Sequence, residues 1–263
     1  MTDNETFMKA ACLECKKILG HYQPHGNGAR KRTSKFKDPK DIVTNVDLEL
    51  ESAIFSRLRE SYPDCGIISE ENERNALTGE PTWIIDPLDG TNNFAYDLPL
   101  YGVSLAYAEK KKVVAGAVYL YGDDAFYYAE KGKGATLNGK EIAVSSRNDT
   151  SHAFVLADAR ISEILEENKF GMILSLADAI FGVRMLGAAV YNFAYVAGGR
   201  VDGCLELDLK IVDFPAGALI VEEAGGKVTD TKGKPWSLET KDFLATNGLL
   251  HDKLLEIINA KNK

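Results

Sequence analysis

The amino-acid sequence predicts an α/β fold with an antiparallel first half and a second half in which strands and helices alternate. Between residues 102 and 128, three runs of aromatic and β-branched residues are separated by polar turns, which is typical of antiparallel strands. From residue 153 onward, short apolar runs alternate with patterns of helical period. No repeat, low-complexity linker or change of composition marks a boundary. We therefore expect a single domain over residues 1–263, with halves at about 1–150 and 151–263 that share one core.

Two amphipathic helices are predicted near the N-terminus. Apolar residues recur at steps of three and four from about residue 4 to 22, which indicates the first helix. Thr44 followed by Asp47 has the pattern of a capping box, and the helix that it opens should continue to about Tyr62.

The later elements follow from short apolar runs and turn residues. Residues 66–68 and 83–85 are apolar runs, each followed by carboxylates, and are predicted to be buried strands. Asn138-Gly139 is a typical hairpin turn. In the second half, the predicted strands are 153–156, 183–186, 205–206 and 243–245, and the predicted helices are 162–177, 188–197, 214–224 and 249–258.

The composition excludes several classes of protein. The 263 residues include 31 Lys and Arg against 39 Asp and Glu, a net charge of −8, and the hydrophobic share of 45% is that of an ordinary folded protein. No apolar run reaches the length of a membrane span, and the acidic start differs from a secretory signal. Four cysteines do not make a disulfide framework, so we expect a cytoplasmic protein. The acidic balance argues against nucleic-acid binding, and such a chain must recruit cations to handle an anion.

The segment 83–94 carries the clearest chemical signal. An apolar strand delivers Asp86 at its end, Pro87 begins a turn, and the turn brings Asp89 to the same side. Gly90 permits a sharp turn, and Thr91 would open a short helix whose free N–H groups suit a phosphate. Two carboxylates this close repel each other unless a cation lies between them. Ligands that are all oxygen favour Mg²⁺, Mn²⁺ or Ca²⁺ over zinc.

Each of these carboxylates also has a purely structural interpretation. Asp-Pro-x-Asp-Gly can be a simple turn, and Glu70 with Glu71, at the end of a predicted strand, can lie in a solvated loop. Asp213 precedes Phe214-Pro215, where it can be the N-cap of a helix. Asp47 is most simply a capping carboxylate.

The same segment invites comparison with the haloacid-dehalogenase type phosphatases, which carry Asp-x-Asp-Gly-Thr after a strand. This chain has one residue more between its two carboxylates, Asp86 and Asp89, which would rotate the second one away from its role. The later Gly-Asp-x-x-x-Asp element of that class has no convincing counterpart.

Most of the chain resembles the inositol monophosphatase family. Trp-Ile-Ile-Asp-Pro-Leu-Asp-Gly-Thr-Asn-Asn-Phe at 83–94 looks like the first family signature, and residues 41–47 resemble its Asp-Leu-Val-Thr-x-x-Asp. Ser-Glu-Glu at 69–71 resembles its Gly-Glu-Glu, and residues 132–139 resemble its hairpin. Residues 212–226 resemble its second signature, which runs from Trp-Asp-x-Ala-Ala-Gly to Glu-Ala-Gly-Gly.

This resemblance implies both a fold and an activity. The fold would be a layered sandwich of alternating α-β-α-β-α layers, with a mixed, largely antiparallel N-terminal sheet and a smaller C-terminal α/β half. The activity would be that of a Mg²⁺-dependent phosphomonoesterase, a homodimer sensitive to lithium. Roughly two or three Mg²⁺ ions would bind per site, Mn²⁺ could replace them, and Li⁺ and Ca²⁺ would inhibit.

The resemblance also assigns metal ligands and catalytic residues by position. Thr91 and Asp47 would polarise the attacking water, which also binds a metal near Glu70. The metal ligands would be Glu70, Asp86, the backbone carbonyl of Leu88, Asp89 and Asp213.

The substrate residues are assigned in the same way. The N–H groups of Gly90 and Thr91 would hold the phosphate, next to Asp89 and Asp213. Glu206 would contact substrate hydroxyls. The alcohol would lie against Gly187, Ala188 and Ala189.

Three positions depart from the family pattern. Val212 stands for the usual Trp before the last metal ligand, and Pro215 stands for an Ala. Ala188 replaces the usual Ser or Thr and removes a hydroxyl from the alcohol side. We expect metal binding to survive, because Asp213 is present and proline is allowed in a first helical turn.

A basic stretch and a cysteine pair have more than one interpretation. The stretch 30–40 can be a solvated loop, a nucleic-acid or localisation patch, or a loop near the metals in which Lys35 or Lys37 attracts the phosphate. Cys12 and Cys15 form a CxxC inside a helical pattern, which favours inert buried thiols over a redox or zinc role. The basic residues are Arg30, Lys31, Arg32, Lys35, Lys37 and Lys40.

Three functional hypotheses remain. The first is Mg²⁺-dependent hydrolysis of a small phosphate monoester, with inositol 1-phosphate as the first candidate because Thr-Asn-Asn-Phe favours the inositol and fructose branches. The second is a related phosphatase acting on fructose 1,6-bisphosphate or on 3′-phosphoadenosine 5′-phosphate. The third is a non-catalytic protein that uses its basic stretch on RNA or a polymerase. The third predicts decay of the metal cluster, yet its carboxylates and Thr91 are all present.

Overall fold

The chain folds into five layers in the order helix, sheet, helix, sheet, helix. The computed structural model describes residues 3–22, 31–38, 41–70, 81–159 and 169–260. Within these ranges the predicted α/β layered sandwich is confirmed. No helix in the described part of the chain is long and apolar enough to cross a membrane.

The first layer consists of helices α1 (Asn4–Gly20) and α2 (Asn45–Ser61), which agree with the prediction. Asp3 caps α1 by accepting a hydrogen bond from the N–H of Thr6 at 2.9 Å. The predicted capping box at the start of α2 is present. Both helices bury an apolar stripe against one face of the larger sheet.

The larger sheet contains seven strands of the described residues, in sequential order from β3 to β9. Strands β3 and β4 are parallel, and every later neighbouring pair is antiparallel. The three antiparallel strands and the hairpin at Asn138-Gly139 were predicted. The strands are β3 (Gly66–Ser69), β4 (Thr82–Asp89), β5 (Gly102–Glu109), β6 (Lys112–Leu120), β7 (Ala125–Glu130), β8 (Ala135–Leu137) and β9 (Lys140–Glu141).

A middle layer of two apolar helices, α5 (Ala189–Ala197) and α6 (Pro215–Glu223), lies between the sheets. Gly116 of β6 permits the close approach of α6, because a Cβ at this position would lie 2.8 Å from the Cα of Ala216. The largest hydrophobic cluster extends from Ile68 to Ala245 and therefore contains residues of both halves of the chain.

The second sheet has the strand order β11-β10-β12-β14-β13 in the described residues. Strand β10 is parallel to both of its neighbours, whereas β14 is antiparallel to β12 and β13. Helices α4 (Lys169–Ala179) and α7 (His251–Asn259) form the last layer. The strands are β10 (Phe154–Ala159), β11 (Gly182–Arg184), β12 (Gly203–Leu207), β13 (Lys227–Asp230) and β14 (Phe243–Thr246).

Some local predictions need correction. Residues of the basic stretch belong to a hairpin, β1 (Ser34–Asp38) with β2 (Asp41–Thr44), and strand β13 was not predicted. The N-cap of α6 is Phe214 rather than Asp213, whose carboxylate instead accepts the backbone N–H of Lys210 at 2.6 Å. The first residues of the predicted helix 162–177 lie outside the described residues.

Candidate active site

Strand β4 and the turn after it position the first carboxylates. Asp86 is buried, and the pairing of β4 with β5 shifts register between Asp86 and Asp89. The N–H of Leu88 donates to Asp86 Oδ1 at 3.0 Å, which closes a turn around Pro87. Like a β-bulge, this irregularity interrupts the alternation of side chains along the strand between Asp86 and Asp89.

Gly90 joins this strand to helix α3 (Thr91–Ala95). Its φ of +84° is left-handed, and a Cβ there would lie 2.6 Å from the carbonyl oxygen of Leu100 and 3.1 Å from the Cβ of Ala188. Only glycine therefore fits this turn, and the predicted short helix opens at Thr91.

The hydroxyl of Thr91 connects the turn to the start of α2. Its Oγ1 lies 3.0 Å from Asp47 Oδ1 and 2.8 Å from the carbonyl oxygen of Leu88. Asp47 also accepts the N–H of Thr44 at 2.8 Å, so it is both a capping carboxylate and a partner of Thr91. Burial raises the pKa of Asp47, and hydrogen bonds from Thr44 and Thr91 oppose that rise.

Glu70 and Asp213 meet through Lys210, a residue that the sequence analysis did not single out. The Nζ of Lys210 lies 2.9 Å from Glu70 Oε1, and its backbone N–H donates to Asp213. In the sequence, Lys210 is a single lysine four residues after Glu206, and this spacing does not indicate a functional site. Glu71 lies outside the described residues.

The four predicted carboxylate ligands share one electrostatic environment. Burial raises the pKa of Asp86 well above its ordinary value, and the charges of Asp89, Glu70 and Asp213 raise it further. Burial likewise raises the pKa of Asp89, followed by the charges of Asp213, Asp158 and Glu70. The ion pair of Lys210 with Glu70 offsets one of these four carboxylates, and a divalent cation would stabilise the charged form of the others.

The donors fit a hard cation by their chemistry, since all of them are oxygens. The side chains do not yet converge: no three His, Cys, Asp or Glu in the described part of the chain are placed so that they could hold a metal ion. Binding an ion would therefore require carboxylates such as Glu70, now paired with Lys210, to turn inward.

The residues predicted for the alcohol side lie beside this cluster. The N–H of Val190, in the first turn of α5, donates to Asp89 Oδ2 at 2.6 Å. Gly187 and Ala188 precede that turn, and Ala189 is its first residue. Glu206 is buried on β12, and Asn192 of α5 donates to its Oε1 at 2.5 Å. Burial and the charge of Asp158 raise the pKa of Glu206 well above its ordinary value.

The sequence analysis assigned no role to Asp158 or to two asparagines, Asn93 and Asn192, which lie beside the residues predicted for the alcohol side. Asn93 donates through Nδ2 to the carbonyl oxygens of Leu100 and Leu186, each at 2.8 Å. Asp158 accepts the N–H of Gly187 at 3.0 Å. A signal was available for Asp158, because it is a carboxylate near the carboxyl end of a predicted strand, like Glu70 and Asp86.

The departures from the family pattern are accommodated. Val212 is buried in the largest apolar cluster. Pro215 is the first residue of α6, where its missing N–H costs nothing. Ala188 precedes α5 without a side-chain cap.

Arg32 of the basic stretch contacts protein rather than solvent. Its Nη1 donates to the carbonyl oxygen of Phe94 at 2.9 Å and pairs with Asp97 at 2.5 Å. Its guanidinium lies 4.4 Å from the centre of the Phe94 ring, so Arg32 anchors this stretch to α3. Lys35 is exposed, whereas Arg30 and the side chains of Lys37 and Lys40 lie outside what the structure describes.

The CxxC pair has the environment of inert thiols. Cys12 and Cys15 are both buried and free. Burial raises the pKa of Cys15 to about 12, which disfavours the reactive thiolate.

The chain is similar to known proteins over most of its length. The family model described as "Inositol monophosphatase family" matches residues 3–263. The chain is 38% identical to a Thermotoga maritima fructose-1,6-bisphosphatase/inositol-1-monophosphatase, over 84% of this chain and 83% of that protein. It is 36% identical to human inositol monophosphatase 1, over 80% of this chain and 78% of that protein.

A solved structure shows the same architecture. The extragenic suppressor protein suhB of Bartonella henselae superposes with a TM-score of 0.89 at 30% identity, covering 98% of both chains. The motif at β4, the fold and these similarities together show that the chain belongs to the inositol monophosphatase family and is a metal-dependent phosphoric monoester hydrolase.

Proposed function

We propose that this protein hydrolyses a small phosphate monoester, with inositol 1-phosphate as its first substrate, by direct attack of water. The observation that carries the proposal is the hydrogen bond between Thr91 and Asp47 beside the carboxylates of β4. The Thr91 hydroxyl has one proton, with Asp47 Oδ1 and the Leu88 carbonyl oxygen as acceptors within reach. When it donates to Asp47, a lone pair of its oxygen can accept a hydrogen bond from a water molecule. No serine, cysteine or histidine nucleophile is needed for this arrangement.

We propose Mg²⁺ as the cofactor, held by Glu70, Asp86, the Leu88 carbonyl, Asp89 and Asp213. When bound, the ion neutralises the phosphate and lowers the pKa of water. Because each ion carries two positive charges, about two ions would balance the four carboxylates and a third would offset the charge of the phosphate. Mn²⁺ would be a substitute, and Li⁺ and Ca²⁺ would be competitors. The excess of negative charge around Asp86 supports this assignment.

Asp47 would take the proton that the attacking water loses. Its carboxylate lies at 3.0 Å from Thr91 Oγ1, within one hydrogen bond of the expected position of the water. Burial raises its pKa toward the value of a useful base. Glu70 would complete this catalytic group on the opposite side of the water.

The substrate would extend from the turn at Gly90 to the start of α5. We assign the phosphate to the N–H groups of Gly90 and Thr91, next to Asp89 and Asp213. Glu206 would accept hydrogen bonds from substrate hydroxyls. The alcohol would lie against Gly187, Ala188 and Ala189, which the contact between Val190 and Asp89 holds beside the phosphate end.

The site draws on both halves of the chain, so we propose that residues 1–263 act as one domain. We further propose a homodimer in the cytoplasm, with a small phosphorylated substrate and without nucleic acid as a partner. Sedimentation in solution tests the dimer.

A panel of substrates tests the activity. Phosphate release is measured from inositol 1-phosphate, fructose 1,6-bisphosphate, 3′-phosphoadenosine 5′-phosphate and histidinol phosphate, with Mg²⁺ and with EDTA. We expect Mg²⁺-dependent release that is fastest with inositol 1-phosphate. Absence of Mg²⁺-dependent release from all four would refute the proposal.

Fructose 1,6-bisphosphate is a second candidate substrate. It is supported by the name of the Thermotoga maritima relative, which combines both activities. Faster release from this substrate than from inositol 1-phosphate would favour it.

A further inference from the structure

Two carboxylates on neighbouring strands share one amide group at the alcohol side of the site. Asp158 and Glu206 are register partners in the parallel pair β10 and β12, so their side chains lie on the same face. The Nδ2 of Asn192 lies 2.5 Å from Asp158 Oδ2 and 2.5 Å from Glu206 Oε1. The amide nitrogen carries two N–H bonds and can donate one hydrogen bond to each carboxylate.

The two carboxylates determine the orientation of the Asn192 side-chain amide. The side chain is fully buried, and among the described residues its Oδ1 has no hydrogen-bond partner. An unpaired buried amide oxygen is unfavourable. This orientation is therefore maintained because both N–H groups are directed at carboxylates, which form stronger hydrogen bonds than neutral acceptors.

Asp158 also holds the segment 186–187, which belongs to the loop that we assigned to the alcohol. Its Oδ2 accepts the N–H of Gly187 at 3.0 Å and that of Leu186 at 3.3 Å. From the opposite side, Asn93 donates to the carbonyl oxygen of Leu186 at 2.8 Å. The segment 186–187 is thus fixed through its amide groups and its carbonyl groups together.

Asp158 and Glu206 are not neutralised by basic side chains. Within the described ranges, neither forms an ion pair with a lysine or arginine, and Lys210 contacts Glu70 instead. The charge of Asp158 raises the pKa of Glu206 and of Asp89. Burial raises the pKa of Asp158 itself, whereas hydrogen bonds from Asn192 and from the N–H of Gly187 favour its charged form.

We propose that Asp158 is a positioning residue that selects a neutral, hydroxyl-rich alcohol over one that carries a second phosphate. This inference rests on the proposed function. Hydroxyl groups can donate to the free lone pairs of these carboxylates, whereas a second phosphate offers acceptors and negative charge. Repulsion between like charges in a partly buried site disfavours the second phosphate.

The test compares two substrates that differ only by that phosphate, fructose 1-phosphate and fructose 1,6-bisphosphate. The full chain with Mg²⁺ and its Asp158→Asn variant are measured for kcat and KM on both. The asparagine oxygen can keep the hydrogen bonds of Asp158 to Gly187 and Asn192, so the substitution removes mainly charge. Asp178→Asn, at an exposed position of α4, is the matched control.

The readout is the ratio of kcat/KM for the monophosphate to that for the bisphosphate. This ratio does not depend on the fraction of folded enzyme. We expect Asp158→Asn to lower it about tenfold, mainly through a lower KM for the bisphosphate, and the control to leave it unchanged. If the asparagine variant does not fold, Asp158→Ser removes the same charge and should lower the ratio similarly.

Two failures can be told apart. If the unmodified protein releases no phosphate from fructose 1-phosphate or inositol 1-phosphate with Mg²⁺, the proposed function itself fails. If it is active but the neutral variants keep the original ratio, Asp158 does not select the alcohol and the inference is overturned.

Discussion

The Oγ1 of Thr91 lies 3.0 Å from Oδ1 of Asp47 and so joins the first turn of α3 to the first turn of α2. Asp47 is held in turn by the N–H of Thr44, its partner in the capping box. The same carboxylate therefore caps the start of α2 and accepts a hydrogen bond from a hydroxyl at the candidate site. A substitution of Asp47 would change its proposed catalytic role and the stability of α2 together, whereas Thr91 can be replaced without removing the cap.

Replacing Thr91 by valine should reduce turnover with little change in KM. Valine keeps the shape of threonine but cannot orient a water molecule. We expect kcat for inositol 1-phosphate to fall about 10²- to 10⁴-fold, the range for losing acid–base assistance. Steady-state kinetics provide the measurement. Thr91→Ser retains the hydroxyl and should recover most of the activity; equal activity of the valine variant would contradict the role.

Asp89→Asn should weaken both Mg²⁺ binding and turnover. The substitution removes a charge from the proposed metal ligands while the side chain keeps its size. We expect kcat to fall by about three orders of magnitude. The Mg²⁺ concentration for half-maximal activity, and Mg²⁺ binding by calorimetry, give two readouts. Asp178→Asn, a change of equal charge on exposed α4, should alter neither; full activity of Asp89→Asn would refute the assignment.

Gly90→Ala should destabilise the protein more than Gly225→Ala. Both glycines have a left-handed φ, +84° and +87°, but a Cβ at Gly90 meets Leu100 O at 2.6 Å whereas nothing lies within 4 Å at Gly225. We expect a loss of about 1 kcal/mol at Gly225 from backbone strain and at least about 3 kcal/mol at Gly90. Urea unfolding measures both. Similar losses would show that the turn at Gly90 can relax.

His251 should make stability depend on pH in the acid range. Its ring lies 2.9 Å from the hydroxyls of Thr229 and Thr246, and burial lowers its pKa from 6.5 to about 4. As the pH falls, the unfolded chain therefore binds the proton first. The contribution of neutral His251 to the free energy of unfolding is therefore complete above about pH 6.5 and is lost as the pH falls toward 4.

The comparison with His251→Gln isolates this effect. Relative to the variant, we expect the native chain to lose about 2 kcal/mol of unfolding free energy between pH 7.5 and 4.5. Urea titrations at both values measure it. The exposed His21 provides a control for the exchange of histidine for glutamine, since His21→Gln should leave the free energy of unfolding at pH 7.5 unchanged. If the free energy of unfolding changed equally with pH in His251→Gln and in the native chain, the prediction would be contradicted.

The predictions from sequence succeeded where the controlling interactions are local. The capping box of Thr44 and Asp47 spans three residues, and the turn from Asp86 to Thr91 depends on Pro87 and Gly90 within the same segment. The prediction of Asp213 as an N-cap was wrong for a related reason. The N-cap of α6 is Phe214, and the carboxylate of Asp213 accepts a hydrogen bond from the backbone N–H of Lys210, three residues earlier in the chain.

The hairpin of β1 and β2 and the strand β13 escaped the sequence analysis. The sequence Ser34–Asp38 is mostly polar and has no apolar alternation, so its extended conformation was not predicted and is seen only in its pairing with Asp41–Thr44. Strand β13 is similarly short and is placed by its antiparallel partner β14. Such short polar strands exist because a neighbour satisfies their backbone groups.

By itself, the sequence determined most of the helices and strands, but not β1, β2 and β13, together with the turn that presents Asp86 and Asp89, and the family. The tertiary structure alone decided which distant groups meet: Lys210 with Glu70, and Asp158 with the loop at Gly187 and with Glu206. The physical reason is range. Turns and caps are formed by neighbours in the chain. Asp158 and Glu206 meet only when β10 and β12 pair within the second sheet, and Lys210 meets Glu70 only when the two sheets pack on the middle helices.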